Sequence, residues 1–434
     1  HGRNAVHGYL RKTTPGPPCC QAMSEAGEGT SRYLARGASA TKDDVHRAIA
    51  GLEKGLFPSA FCKVLPDVLG GDPDFCNLIH ADGAGTKSAL AYLYWKETGN
   101  TDVWKGIARD SVVMNLDDLC CAGATGPFLL SSTLGRNKHR IPGDVLSALI
   151  QGTAEYLEEL ERWGVVVHSG GGETADLGDL IQTVVVDSTM TARMPRSGVL
   201  SNHRIAVGDA VVGFASHGLC SYEAVPNSGI GSNGLTSARH DLLDQRYREL
   251  YPETMDPRVP KDLCYSGQLL LTEDLNTLLA RELGLAPTQE REGLDFGRWF
   301  LSPTRTYAPL IQALIQDLGV SRLHGMIHCS GGGQTKVMHF VGNANIIKDN
   351  LLPVPPLFEL IQRQSGTAWE EMYRVFNMGH RLEVYLPMEL AETALQWGRH
   401  FGIQCDVIGR VVDGPGGLQI KGPEGWLTYP THLA

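Results

Sequence analysis

The chain is predicted to fold as an α/β or α+β protein of two domains, and three observations carry that expectation. Its 434 residues favour two or three domains, each large enough for its own core. Helical stretches alternate with short apolar runs in both halves, as at 145–163 before 165–167 and at 390–401 before 407–412. Glycine-rich turns follow apolar runs at 82–87, 168–174 and 330–335, where α/β proteins place ligand chemistry.

Composition narrows the function. The chain is 42% hydrophobic and 20% charged, which fits an ordinary globular protein. No stretch approaches the roughly 18 apolar residues of a membrane span. The net charge of −10 argues against a general nucleic-acid or anionic-membrane partner, so a phosphorylated ligand would need local cations or metal. The ten cysteines form no C-x-x-C pair, which argues against zinc and thioredoxin-type motifs and fits a reducing, cytoplasmic setting.

In chain order, residues 1–22 lack periodicity and the apolar core of a secretory signal. They read as an extraneous or disordered leader, with Met23 as the start and a transit peptide as the alternative. Thr41 is the expected N-cap of a helix whose apolar stripe is Val45, Ala48, Ile49 and Leu52. Residues 104–123 form a second helix holding Asp110, Asp117 and Asp118. Seven residues, about two turns, put Asp110 and Asp117 on one face. Such acids are commonly solvated, but Val112, Val113, Leu116 and Leu119 surround these, so partial burial and a partner or metal are expected. The amphipathic helix 145–163 ends at Gly164, and a short strand at 165–167 leads to a loop over 168–174. Residues 181–191 read as strand, the domain boundary falls near 205, and 209–214 opens the second domain. The polar stretch 215–240 is expected to be a long loop. A helix follows at 307–319. The division is therefore 1–22 leader, 23–205 N-terminal domain and 206–434 C-terminal domain.

The stretch around which these elements are organised is His80-Ala-Asp-Gly-Ala-Gly-Thr-Lys87. Its glycines permit close backbone approach, Lys87 offers a charge for phosphate, and Asp82 beside it makes sense with a cation between. It is neither a dinucleotide fingerprint, since Ser88 stands where the third glycine belongs, nor a P-loop, since no Gly-Lys pair occurs.

With these residues in view, the chain resembles aminoimidazole ribonucleotide synthetase, the cyclo-ligase family of purine biosynthesis. Asp82-Gly-Ala-Gly-Thr-Lys87 matches the family's D-G-x-G-T-K, and Gly106 to Leu119 is similar to its G-I-D-L-V-A-M-N-V-N-D-L. Gly171-Gly-Glu-Thr-Ala175, Ser232-Asn-Gly234, Leu301-Ser-Pro-Thr-Arg305 and Glu371-Met-Tyr-Arg-Val-Phe-Asn377 match four further motifs, all in order over nearly the whole chain.

The resemblance implies an N-terminal sheet domain that forms a homodimer and a C-terminal α/β domain. It implies conversion of formylglycinamidine ribonucleotide and ATP to aminoimidazole ribonucleotide, ADP and phosphate, with Mg²⁺. Lys87, Asp82 and Asp110 are the implied catalytic residues. Gly83, Gly85, Thr86, Gly171, Gly172, Glu173 and Thr174 would join them around ATP. Asp82, Asp110, Asp118 and Glu173 are the implied metal ligands, and Ser232, Asn233 and Gly234 the substrate contacts. Phosphoryl transfer needs mostly positioning and charge neutralisation, which carboxylates, Mg²⁺ and one lysine supply.

The chain departs from the family at several points. Gly231 stands where a histidine usually precedes S-N-G, after an insertion at 222–230, and His217 is the candidate substitute. Asp117 replaces an asparagine, and Gln334 to Val337 and Gly379-His-Arg-Leu382 differ from the usual run. Related architectures belong to selenophosphate synthetase, thiamine-phosphate kinase and a hydrogenase-maturation dehydratase. Against these, residues 23–55 lack a cysteine, no cysteine tail ends the chain, and E-M-Y-R-x-F-N is present. A related small-molecule phosphotransferase and a non-catalytic ATP-binding scaffold are the alternatives; nucleotide binding without turnover would mark the scaffold.

Overall fold

The computed structural model describes residues 35–38 and 43–430. The expected leader and the Thr41 cap lie outside the described residues. Helix α1 (Asp43–Ile49) is present, but Val45, Ile49 and Leu52 are 48%, 48% and 63% exposed. The apolar period there marks a face that the described chain does not cover.

The N-terminal half is built on a five-stranded sheet: β1 (Val64–Pro66), β2 (Phe75–Gly83), β3 (Phe128–Arg136), β4 (Val167–Asp176) and β5 (Val184–Pro195), in the order β1-β2-β5-β3-β4. Only the β3–β4 pair is parallel. Strict alternation along β5 buries Val184, Val186, Ser188, Met190, Ala192 and Met194 on one face. Helices α2 (Lys87–Thr98), α3 (Val103–Cys121) and α4 (Gly143–Arg162) accompany the sheet, with α3 packed on β2, β5 and α4. The opposite face carries Ile79, Leu129 and Val185 exposed. Ile79 and Leu129 both pair with Thr191, so they share one row across the open face.

One expectation fails here. The glycine-rich stretch 168–174 is not a loop but part of β4, an edge strand that runs alongside β3. Glycine carries no strand signal of its own, but it lets the backbones come close: a Cβ on Gly172 would collide with the Ser132 carbonyl. The register slips between Leu130 and Ser132, where the ladder absorbs one extra residue of β4.

The C-terminal half is built on a seven-stranded sheet: β6 (Asp209–Ala215), β7 (Gly325–His328), β8 (Ala344–Lys348), β9 (His380–Pro387), β10 (Cys405–Asp413), β11 (Gly417–Gly422) and β12 (Gly425–Pro430). Their order is β12-β11-β8-β10-β6-β9-β7. β6 is buried along its whole length, as its apolar run requires. The polar stretch 215–240 ends earlier than expected, because helix α5 (Leu235–Leu242) starts on Gly234, whose φ of 80° lets the chain turn into the helix. Helix α6 (Arg246–Leu250) follows, then α7 (Leu275–Leu283) and α8 (Phe296–Phe300). Next come α9 (Ala308–Leu318), α10 (Pro356–Ser365), α11 (Trp369–Val375) and α12 (Ala391–His400). No helix among the described residues is long and apolar enough to cross a membrane. The halves meet along α3, which touches both α9 and β7.

Candidate functional site

The site is assembled on α3. Its polar positions Asp110, Asn115, Asp117 and Asp118 are all buried, more completely than the sequence predicts. Burying carboxylates is costly without partners, and each has one. Asp110 accepts from Lys87 Nζ at 3.1 Å and from the Thr304 backbone N–H at 2.6 Å. Asp117 accepts from the Thr306 hydroxyl at 2.6 Å and the Tyr307 backbone N–H at 3.1 Å. Burial pushes its carboxyl up, and the charges of His328 and Arg381 oppose that. Asp118 lies 2.5 Å from His328 Nδ1 and 3.3 Å from His80 Nε2. Burial works against its ionisation, but the His328 hydrogen bond and the charges of His328, His80 and Lys336 together outweigh it and hold the carboxyl low. The acid face of an N-terminal helix is thus capped by the C-terminal segment 302–307 and by β7.

Lys87 opens α2 directly after the glycine turn. Its ammonium is wholly buried and donates also to the Ser302 carbonyl at 2.6 Å. Burial lowers its pKa, and Asp110 offsets that in part. Lys87 and Asp110 are therefore held by each other rather than presented together to an open cavity.

The turn itself joins the two expected ligand regions. The Thr86 hydroxyl is 2.9 Å from that of Thr236, in the first turn of α5 and two residues beyond Ser232-Asn-Gly234. The Ser232 hydroxyl lies 3.3 Å from that of Thr304, and Gly331, in the second glycine turn, passes beside Asn233. That second turn is anchored from below. Gln334 Nε2 donates to the Asn377 carbonyl at 2.6 Å, and Lys348 Nζ donates to Gln334 Oε1 at 3.0 Å.

Glu173 stands elsewhere. Register places Gly83 opposite Asp187, Asp187 opposite Thr133, and Thr133 opposite Glu173, in one row across four strands. Asp82 and Glu173 are therefore three strand spacings apart, on the order of 14 Å. The four expected metal ligands, Asp82, Asp110, Asp118 and Glu173, are not brought into one cluster, and no such group of three or more exists among the described residues. The sequence reading misses Asp187, which stands opposite Gly83, one residue along from Asp82. A Cβ on Gly83 would collide with the Asp187 carboxylate, so only glycine fits beside it. Burial raises the Asp187 carboxyl, and the charge of Asp82 raises it further. Mg²⁺ needs only one or two protein carboxylates and completes its shell with phosphate oxygens and water, so either acid here is of the right chemistry.

A cavity of about 250 Å³ opens beside this row, between α4 and the strand ends. Leu149, Ile150 and Leu157 form an apolar wall, with Gly171, Glu173 and Asp187 opposite. A second cavity of about 120 Å³ is walled by the insertion. There Tyr222 donates to the Thr306 carbonyl at 2.6 Å, Asn227 donates to that of Pro303 at 2.8 Å, and Glu223 pairs with Arg305. His217 is half-buried and donates to the Gly379 carbonyl at 3.1 Å, with burial lowering its pKa. It serves the fold of the insertion rather than the turn at 231.

His80, His328, Thr304, Thr306 and Arg381 also escape the sequence reading of site residues. His80 could have been found, because it begins the organising stretch; the others become visible only through contacts more than 180 residues apart in sequence or on segments that depart from the family pattern.

Comparison with known proteins agrees in both halves. The family model for the AIR synthase related protein N-terminal domain matches residues 66–194, and that for the C-terminal domain matches 269–421. A phosphoribosylformylglycinamidine cyclo-ligase of Thermococcus kodakarensis is 31% identical over 345 residues, covering 79% of this chain and 81% of that protein. The protein of the same name from Pyrococcus horikoshii is 28% identical over 348 residues, covering 80% and 83%. Among solved structures, T. maritima PurL complexed with FGAR superposes with a TM-score of 0.53 at 15% identity. It spans 94% of this chain, which in turn spans 53% of that one, and the likeness speaks for the fold alone.

Proposed function

The chain belongs to the AIR synthase related family, and on that premise we propose that it is a phosphoribosylformylglycinamidine cyclo-ligase of purine biosynthesis. The formyl oxygen of formylglycinamidine ribonucleotide takes the γ-phosphoryl group of ATP, and ADP departs. The amidine-side nitrogen then attacks the activated carbon, phosphate leaves, and the imidazole ring closes. The observation that carries this reading is the contact between the Asp82–Lys87 turn and the 232–236 turn, which sets a nucleotide segment of one half against a substrate segment of the other.

In this reading the backbone of Gly83, Gly85 and Thr86 lies along the phosphates. Gly171, Gly172, Glu173 and Thr174 form the far wall of the nucleotide cavity, whose apolar side suits a base. Ser232, Asn233 and Gly234 orient the substrate. Asp82 and Asp187 would hold Mg²⁺, which when bound neutralises phosphate charge. Lys87 and Asp110 position Ser302 and Thr304, and Asp118 holds His80 and His328 in place.

The protein acts as a homodimer paired through the open face of the N-terminal sheet. The exposed row of Ile79 (54%) and Leu129 (59%), on the side away from α3, supports this. We place it in the cytoplasm. In keeping with that, no cysteine among the described residues is in a disulfide.

The test is turnover of purified protein with formylglycinamidine ribonucleotide, ATP and Mg²⁺, following ADP and aminoimidazole ribonucleotide together. Equal amounts of both are expected. ADP without imidazole product, or no ATP consumption by folded protein, would overturn the assignment.

A further inference from the structure

Arg381 lies in β9 within the run Gly379-His-Arg-Leu382, where the chain departs from its family, and it is 2% exposed. Two edges of its guanidinium are used. Nε donates to His328 Nε2 at 2.9 Å, and Nη2 donates to the Arg305 carbonyl. Its centre also lies 5.3 Å from the Tyr307 ring. Nη1 is buried and has no acceptor. No carboxylate among the described residues pairs with Arg381: Asp117 is held by Thr306 and Tyr307, and Asp118 by the two histidines. Its charge falls close enough to Lys87 to disfavour protonation there.

A buried donor without a protein partner needs water, an ion or a ligand to complete it. What covers Nη1 is the turn at 231. Gly231 has a φ of 70° and no side chain; a Cβ there would stand 3.2 Å from Nη1 and 4.0 Å from the Thr304 hydroxyl oxygen. Ser232 follows, with its hydroxyl facing that of Thr304. One unpaired guanidinium nitrogen and two hydroxyls therefore lie beneath the glycine turn. A guanidinium and hydroxyls are the groups that recognise phosphoryl oxygens.

We propose that Arg381 is a specificity-determining residue that binds a phosphoryl oxygen when the 231–232 turn lifts, with Ser232 and Thr304 as companion donors. This rests on the cyclo-ligase reading, in which two reactants carry that chemistry: the ribonucleotide, as a phosphate monoester, and ATP.

Steady-state kinetics on the full chain distinguish the two sources. Arg381→Met should raise KM at least about thirtyfold for one reactant while kcat changes less than about threefold, and the reactant affected names the source. Arg381→Lys, which keeps the charge but not the anchored planar group, should fall between. Independently of turnover, inorganic phosphate should raise the melting temperature of wild type above that in chloride of equal ionic strength, and should not do so for Arg381→Met. If Arg381→Met does not fold, Arg381→Lys carries both measurements. Wild type stabilised by phosphate yet inactive as a cyclo-ligase would sink the reaction assignment and leave the anion site standing. Phosphate shifts equal in wild type and variant, or KM values within twofold of wild type, would overturn the role of Arg381.

Discussion

The Lys87 ammonium lies 2.9 Å from the Asp110 carboxylate, and neither side chain is exposed at all. The pair joins the first residue of α2 to the middle of α3, and through Ser302 and Thr304 it fastens the C-terminal segment to both. Removing one partner strands a buried charge, which costs about 3–5 kcal/mol. Lys87→Met should therefore lower the urea midpoint sharply. The double variant Lys87→Met with Asp110→Asn should recover at least half of that loss while remaining without turnover. A Lys87→Met protein that unfolds at the wild-type midpoint would refute the account of the pair.

The two acids at the end of β2 and β5 should behave differently from that pair. Asp82→Asn and Asp187→Asn relieve repulsion between neighbouring carboxylates, so stability should hold or rise by a few tenths of a kcal/mol. Turnover should fall at least about a hundredfold, with the Mg²⁺ concentration for half-maximal activity raised. Thermal melts and Mg²⁺ titrations of activity check this. An Asp187→Asn enzyme with wild-type Mg²⁺ dependence would remove Asp187 from the site.

Acid should loosen the C-terminal sheet through Glu383. Burial alone would raise its pKa, but the charge of Lys348 at 2.5 Å and the His380 hydrogen bond at 2.9 Å hold it down to about 2, against 4.5 for an ordinary glutamate. The unfolded chain thus binds this proton first as pH falls. The stabilisation is complete above about pH 5 and is lost progressively from there towards pH 2. His380, whose pKa burial lowers from 6.5, tilts the curve the same way below that value. Glu383→Gln should be less stable at pH 7 and show a flatter profile between pH 5 and 2 in equilibrium urea unfolding. An unchanged slope would count against the pair.

Leu129→Asp puts a charge in the exposed apolar row without touching the helix-covered face. Sedimentation velocity should show wild type as a dimer and the variant as a folded monomer. A monomeric wild type at micromolar concentration would refute pairing through this sheet.

Much of the architecture is legible in the sequence because it is locally encoded. The leucines and glutamates of α4 fall at helical spacing, and the apolar run of β6 can only be a buried strand. β4 is not legible, because Ser169-Gly-Gly-Gly172 has no strand preference and owes its conformation to β3. The site divides along the same line. Asp82, Lys87, Asp110 and Glu173 stand out as residue types, but their partners do not. That Asp110 faces Lys87, that Asp118 faces His328, and that Glu173 lies three strands from Asp82 are facts of register and docking. A linear reading of spacing cannot supply them. Asp187 goes unnoticed because an acid after three valines reads as one outward residue of a strand.

That the three buried acids of α3 each have a partner beyond residue 300 has a consequence for biosynthesis. A ribosome that has delivered the chain only to residue 205 has already made Lys87, Asp110, Asp117 and Asp118, but none of Thr304, Thr306, Tyr307 or His328, which neutralise or cap them. The helix that will become the centre of the molecule must wait, solvated and unpacked on that side, until more than a hundred further residues have emerged. Stalled chains ending at 205 should bind a hydrophobic dye that chains carried past 330 exclude. The order in which the halves are translated would then set when the enzyme first becomes able to hold its substrates.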